Sequence, residues 1–146
     1  MIIYFAGGIR GGGGDPELYS KIIKVIEEFG DVATSHLANP KVQKNKLKDI
    51  DDSAIYITDM NEIKRCDILV TEVSAPSLGV GYKIAKAEFL GMPVIALFSA
   101  KSQYMLSALI AGNSHINIIR YESMEDIKNG LEKLFNGKYS FLYEAP

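Results

Sequence analysis

Two glycine-bearing segments of this chain hold residues that could act on an anionic ligand. The first, residues 75–87 (APSLGVGYKIAKA), follows the apolar run DILVTEV at residues 67–73. Strand, glycine-bearing turn and helix in succession is how α/β proteins aim the unpaired N–H groups of a helix N-terminus at an anion. Ser77 can donate its hydroxyl there, and Gly79 and Gly81 open the approach. Lys83 stands in the first turns of the helix, where a charged side chain decides which chemistry is possible. The competing reading of Ser77 is a plain helix cap. The second segment, residues 7–14 (GGIRGGGG), interrupts the N-terminal run MIIYFA. Gly7, Gly8 and their successors let backbone N–H groups approach an anion, and Arg10 can fork onto a phosphate or carboxylate. The register is neither a dinucleotide fingerprint nor a P-loop, since no G-K-[ST] follows. For glycines alone a flexible turn is an equal reading; Arg10 tips it toward ligand binding.

Other candidates are weaker singly. Asp59 lies in mid-helix, a poor place for aspartate, and could serve as an acid or base near the strand ends. His36 is expected at a strand end on the ligand edge, where a histidine is as often structural as functional. His115 has only a loop context. Lys41, Lys44, Lys46 and Lys48 read as a solvated surface loop. Cys66, the single cysteine, reads as a small apolar filler before a buried strand. No metal-ligand spacing of the H-x-x-x-H or C-x-x-C type occurs, and no cofactor is implied.

The elements that must position these residues follow from periodicity and punctuation. Strands are expected at residues 1–6, 31–37, 67–73, 93–98 and 116–121. Helices are expected from Pro16 (capped by Asp15) to the Gly30 stop, and over residues 53–64, 76–90, 104–111 and 124–135, the last capped by Ser123. Alternation of strands and helices, with strands apolar on both faces, predicts one α/β domain over residues 1–146. Its parallel sheet of about five strands would have the flavodoxin-like (Rossmann-like) order 2-1-3-4-5 between two helix layers. The glycine loop, His36, residues 74–81 and residues 99–107 then share the edge at the carboxyl ends of the strands.

Composition narrows the function. With 146 residues, 47% hydrophobic and 23% charged, the chain is an ordinary globular one. A net charge of -2 argues against nucleic acid as the partner and leaves small phosphorylated ligands open. One cysteine, no basic leader and no apolar run near ~20 residues point to a cytoplasmic protein with no membrane contact.

Taken together, residues 4–12 (YFAGGIRGG), Leu18-Tyr19, Phe29-Gly30, residues 34–36 (TSH), Asp59, Glu72-Val73, residues 76–82 (PSLGVGY) and residues 106–108 (LSA) form a pattern. It resembles the 2′-deoxynucleoside 5′-phosphate N-hydrolase family, within the nucleoside 2-deoxyribosyltransferase superfamily, over nearly the whole chain. The resemblance implies cleavage of the N-glycosidic bond of 2′-deoxynucleoside 5′-monophosphates to a free base and deoxyribose 5-phosphate. It implies a homodimer whose sites take a serine from the neighbouring subunit, with Ser107 at that position. Gly7, Ile9, Arg10, Ser77, Gly79 and Gly81 would surround sugar and phosphate. Tyr4, Tyr19 and His36 match further pocket positions, and Asp59 matches an aspartate that assists the chemistry.

Two departures stand out. Gly8 replaces a serine common in the family, which removes a hydroxyl contact. Lys83 stands where the family has its catalytic glutamate. N-glycoside cleavage passes through an oxocarbenium-like state that a carboxylate stabilises or attacks. An ammonium ~4 Å from that cation would repel it by about 4 kcal/mol at an effective dielectric of ~20, about a thousandfold in rate. Glu88, about 140° round the helix, cannot replace the missing acid. Four readings of Lys83 are open. The chain is a paralogue that binds without hydrolysing; Asp59 or Glu72 has taken over; Lys83 forms a Schiff base with a ring-opened sugar; or the lysine was introduced to silence an active enzyme. A fifth, blander one has Lys83 snorkelling out to solvent. Alternatives to hydrolysis are a non-catalytic nucleotide-binding dimer and a nucleoside deoxyribosyltransferase.

Overall fold

A computed structural model describes residues 1–9, 14–38 and 51–143. Five parallel strands, β1 (Ile2–Ala6), β2 (Asp31–Val32), β3 (Ile68–Glu72), β4 (Val94–Ser99) and β5 (Ile116–Tyr121), form one sheet in the order β2-β1-β3-β4-β5. The helices are α1 (Pro16–Ile26), α2 (Asp52–Lys64), α3 (Leu78–Phe89), α4 (Ala108–Ala111) and α5 (Met124–Asn136). The expected order 2-1-3-4-5 is the one observed, and the physical reason is in the strands. β1, β3 and β4 are buried on both faces, so only helices on both sides can cover them.

Alternate residues of each strand feed two separate cores. Ile3, Phe5, Ile68 and Val70 pack against Tyr19, Ile22 and Ile26 of α1 and Leu131 and Phe135 of α5. Tyr4, Ala6, Leu69 and Ala96 pack against Met60 and Ile63 of α2 and Val80, Ile84 and Ala87 of α3. A residue's parity along its strand therefore decides which side of the sheet it can serve.

Most element ends follow local chemistry. Asp15 caps α1 by accepting the Leu18 N–H, and Ser123 and Asp126 close a reciprocal capping box on α5. Gly91, at φ +71°, ends α3 in the left-handed region open to glycine. Two expectations need correction. The second strand stops at Val32 rather than Leu37. Thr34 turns inward, its hydroxyl accepting the Phe5 N–H and donating to the Phe5 carbonyl, and a 3-10 turn (Ser35–Ala38) follows. The helix expected from Tyr104 begins only at Ala108. Ser102 holds the preceding segment as a loop, accepting the Tyr104 N–H and donating to the Ser74 carbonyl. The lysine-rich loop lies outside the described residues except at its end, where Asp51 caps α2 through the Ala54 N–H and Asp52 is its first residue.

Candidate active site

At the carboxyl edge of the sheet, the turn after β1, the outer half of α2 and the start of α3 enclose a cavity of about 300 Å³. Its polar wall is Asp52, Asp59, Lys83 and Ser77, with Gly7 and Gly79 beside them; Ile9, Ile55, Tyr56 and Val80 make the apolar wall. Residues as far apart in the chain as Gly7 and Lys83 are thus gathered by three elements, and the two glycine segments do meet. A Cβ on Gly8 would lie 3.3 Å from Ser77 Cβ. Gly7 is glycine for a steric reason, because a Cβ there would fall 2.5 Å from the Tyr19 ring.

The polar wall is an organised cluster. Tyr4 is fully buried on β1 and its hydroxyl donates to Asp59 Oδ1 at 2.8 Å. Burial first, and then the Asp59 charge, push the Tyr4 phenol far above its ordinary range, so it serves as a fixed donor and not as an acid. Asp59 Oδ2 lies 2.9 Å from Lys83 Nζ, and that ammonium also sits over the Tyr4 ring, 5.3 Å from its centroid. The Lys83 side chain is only 15% exposed. It is turned into the cavity and paired, which overturns the reading of a lysine snorkelling out to solvent.

Ser77 accepts the Val80 N–H at 3.3 Å, so it is a cap as well as a wall of the cavity. The two readings of this serine are compatible. Its end of α3 adjoins the Gly8 turn, and the first N–H groups of a helix can seat an anion.

Not every expected residue reaches this cavity. Tyr19 lies beneath the turn, 1% exposed, and its hydroxyl donates to the Gly8 carbonyl at 3.0 Å. Burial pushes its phenol up to about 12. Tyr19 supports the glycine turn and lines a second cavity on the opposite side of the sheet. His36 is not at a strand end; it is exposed on the 3-10 turn after β2. Gly81 lies on the exposed side of α3, where a Cβ would meet nothing within 4 Å. Ser107 is exposed before α4 and caps it with no side-chain bond. Arg10 lies outside the described residues.

The second cavity, about 640 Å³, lies between α1, α5 and the ends of β3, β4 and β5. It contains Glu72, 4% exposed, whose Oε1 accepts the Ser74 N–H and hydroxyl and the Tyr121 hydroxyl. Glu72 shares parity with Ile68 and Val70, on the sheet face away from Asp59 and Lys83. It therefore cannot take over the role of a carboxylate at position 83. Glu88 is also excluded: it bonds Asn113 at 2.9 Å and lines a separate pocket.

Sequence reasoning missed Ile55 and Tyr56 as walls. The available signal was spacing: both stand one helical turn before Asp59 and so share its side of α2.

Comparison with known proteins identifies the family. The family Nucleoside 2-deoxyribosyltransferase matches residues 3–134. A protein of Syntrophotalea carbinolica named as a candidate 2′-deoxynucleoside 5′-phosphate N-hydrolase 1 is 39% identical over 128 residues, covering 87% of this chain and 89% of its own. The 5-hydroxymethyl-dUMP N-hydrolase of Danio rerio is 36% identical over 138 residues, covering 92% and 96%. In fold, the chain is similar to the Clostridium botulinum CMP N-glycosidase BcmB, with a TM-score of 0.63 at 20% identity over 90% of this chain and 98% of that one. With the match spanning all five strands and both walls of the cavity, the chain belongs to the nucleoside 2-deoxyribosyltransferase family, alongside the deoxynucleoside 5′-phosphate N-hydrolases.

Proposed function

We propose that this chain binds 2′-deoxynucleoside 5′-monophosphates in the 300 Å³ cavity and, with lysine at position 83, does not cleave them efficiently. The 5′-phosphate sits at the start of α3 by Ser77 and the glycine turn, with Arg10 as a further partner. The base lies along Ile9, Ile55, Tyr56 and Val80, and the sugar lies between, at Asp59 and Lys83. The ligand class comes from the names of the relatives. What carries the loss of cleavage is the ion pair of Lys83 with Asp59 at 2.9 Å.

That pair acts twice. It removes the nucleophile or charge stabiliser from the place where the resemblance puts a glutamate. It also engages Asp59, which shares the cavity with Asp52, with an opposite charge. Asp59 compensates the ammonium, so repulsion of an oxocarbenium-like centre is weaker than the ~4 kcal/mol of a bare charge. The absent carboxylate is then the larger loss. An ammonium held on a carboxylate is also a poor amine nucleophile, which counts against Schiff-base chemistry.

The test is base release from each 2′-deoxynucleoside 5′-monophosphate by this protein and by Lys83→Glu. Release raised by about a thousandfold or more in the glutamate variant is the expected result. Rapid release by the lysine form would overturn the proposal, as would failure of either form to bind a monophosphate.

The same reading makes the protein a homodimer in which Ser107 of each chain faces the other's site. It is supported by apolar side chains left open near that serine: Met105 is 94% and Leu109 87% exposed.

A further inference from the structure

The second cavity, about 640 Å³ between α1, α5 and the ends of β3, β4 and β5, takes no part in the mononucleotide reading. Glu72 lines it and is 4% exposed. Three donors reach this carboxylate, the Ser74 N–H and the hydroxyls of Ser74 and Tyr121, and all three go to Oε1. Oε2 has no donor among the described residues. A buried carboxylate oxygen without a donor is costly. The neighbouring hydroxyls do not relieve it. Ser74, Ser102, Tyr19 and Tyr121 all line the cavity, and each commits its hydrogen to a protein acceptor. Ser74 and Tyr121 donate to Glu72 Oε1, Ser102 to the Ser74 carbonyl, and Tyr19 to the Gly8 carbonyl. The two phenols are left with lone pairs. Ser99 keeps a hydroxyl hydrogen, and the other side-chain donors of the lining, Lys101, Gln103 and Tyr104, belong to exposed residues.

The buried part of this wall therefore offers acceptors and asks for donors. Its charge has the same sense: Asp15, Glu72 and Glu122 line the cavity against Lys101 alone. Among the described residues no three His, Cys, Asp or Glu side chains gather as a metal ion requires, so the complementary charge is an organic one. Leu18, Ala75 and Met124 supply apolar lining for a carbon chain. We infer that this cavity binds a small organic cation that carries N–H donors on an alkyl stem, an alkylammonium or alkylguanidinium, with its head on Glu72 Oε2. Such a head supplies the missing donor and a charge-assisted bond together. A cation beside Glu72 also favours its charged form, which offsets the rise in pKa that burial causes. The volume, about 640 Å³, lies within the roughly 300–1,000 Å³ of small-molecule sites. This site is on the sheet face away from Asp59 and Lys83, and it stands or falls separately from mononucleotide binding.

Titration calorimetry at one ionic strength tests it with putrescine and agmatine. Tetramethylammonium, a cation without N–H groups, and 1,4-butanediol, a stem without charge, are the comparison ligands. Putrescine or agmatine is expected to bind, and both comparison ligands should be weaker by about tenfold or more. This comparison uses the parent protein and needs no variant. Glu72→Gln, with thermal unfolding confirming that it is folded, should weaken amine binding roughly ten- to a hundredfold. Glu88→Gln makes the same change of charge at a separate pocket and should leave amine binding unaltered. Tetramethylammonium binding as tightly as the amines overturns the donor match. Unchanged affinity in Glu72→Gln, or an equal loss in Glu88→Gln, overturns the assignment to this cavity. Failure of both amines to bind the parent protein removes the inference and leaves mononucleotide binding standing.

Discussion

Glu72 and Lys83 show how differently two charged residues of one strand–helix unit can be used. Lys83 is matched by Asp59 and belongs to the cavity. Glu72 has no cationic partner among the described residues; it is held by hydroxyls and one N–H, and burial outweighs them, raising its pKa above the ordinary 4.5. The folded chain therefore binds this proton more readily than the unfolded one. The stabilisation is fully present below pH 4.5 and is lost as pH rises through the raised native value. Glu72→Gln keeps an acceptor oxygen and removes the titration. Its thermal midpoint relative to the parent should climb as pH passes through that window and then level off. A difference constant from acid to neutral pH would refute a titrating Glu72. The residue types Asp59, Lys83 and Ser77 were legible as candidates from sequence, whereas the exclusion of Glu72 was not. Its parity along β3 matters only once the helices covering each face are known.

At the scale of elements, α3 is the organising piece. Its cap, its first turn and Lys83 all serve the cavity, while Val80, Ile84 and Ala87 anchor it to the sheet. Removing the cap oxygen in Ser77→Ala should cost about 1 kcal/mol of stability, read from urea unfolding. It should also weaken monophosphate binding by severalfold while leaving binding of the phosphate-free nucleoside unchanged. Equal losses for both ligands would mean that Ser77 only caps. The motif of residues 76–82 announced this helix start without ambiguity. The second strand was misjudged because Ala33 and Thr34 look strand-like, yet the Thr34 hydroxyl bonds the Phe5 backbone and turns the chain. Such a side-chain competitor of the ladder leaves no trace in periodicity.

Across the whole molecule, the surface around α3 and α4 is where the proposed homodimer would form. Leu78, Phe89, Met105 and Leu109 are exposed, and the Glu88–Asn113 bond ties the far end of α3 to the residues just after α4. Open apolar side chains of this size mark an association surface. If the protein is the proposed homodimer, sedimentation should give twice the chain mass, and Leu109→Asp should shift it to monomer and weaken monophosphate binding. A monomeric parent protein that binds a nucleotide with full affinity would refute the shared site. No helix among the described residues is long and apolar enough to cross a membrane.

The sequence by itself determined the alternation of elements, the sheet order and the family. Hydrophobic period, caps and glycine stops are local signals, and the family pattern is spread along the chain in order. It also placed Lys83 where a carboxylate was expected. Only the tertiary structure decided what that lysine does. Its partner Asp59 is 24 positions away on another helix, and Tyr4 is on a strand at the far end of the chain. Whether an ammonium escapes to water or turns inward depends on an opposite charge within reach in a low-dielectric place. That is a property of packed elements, not of any one segment.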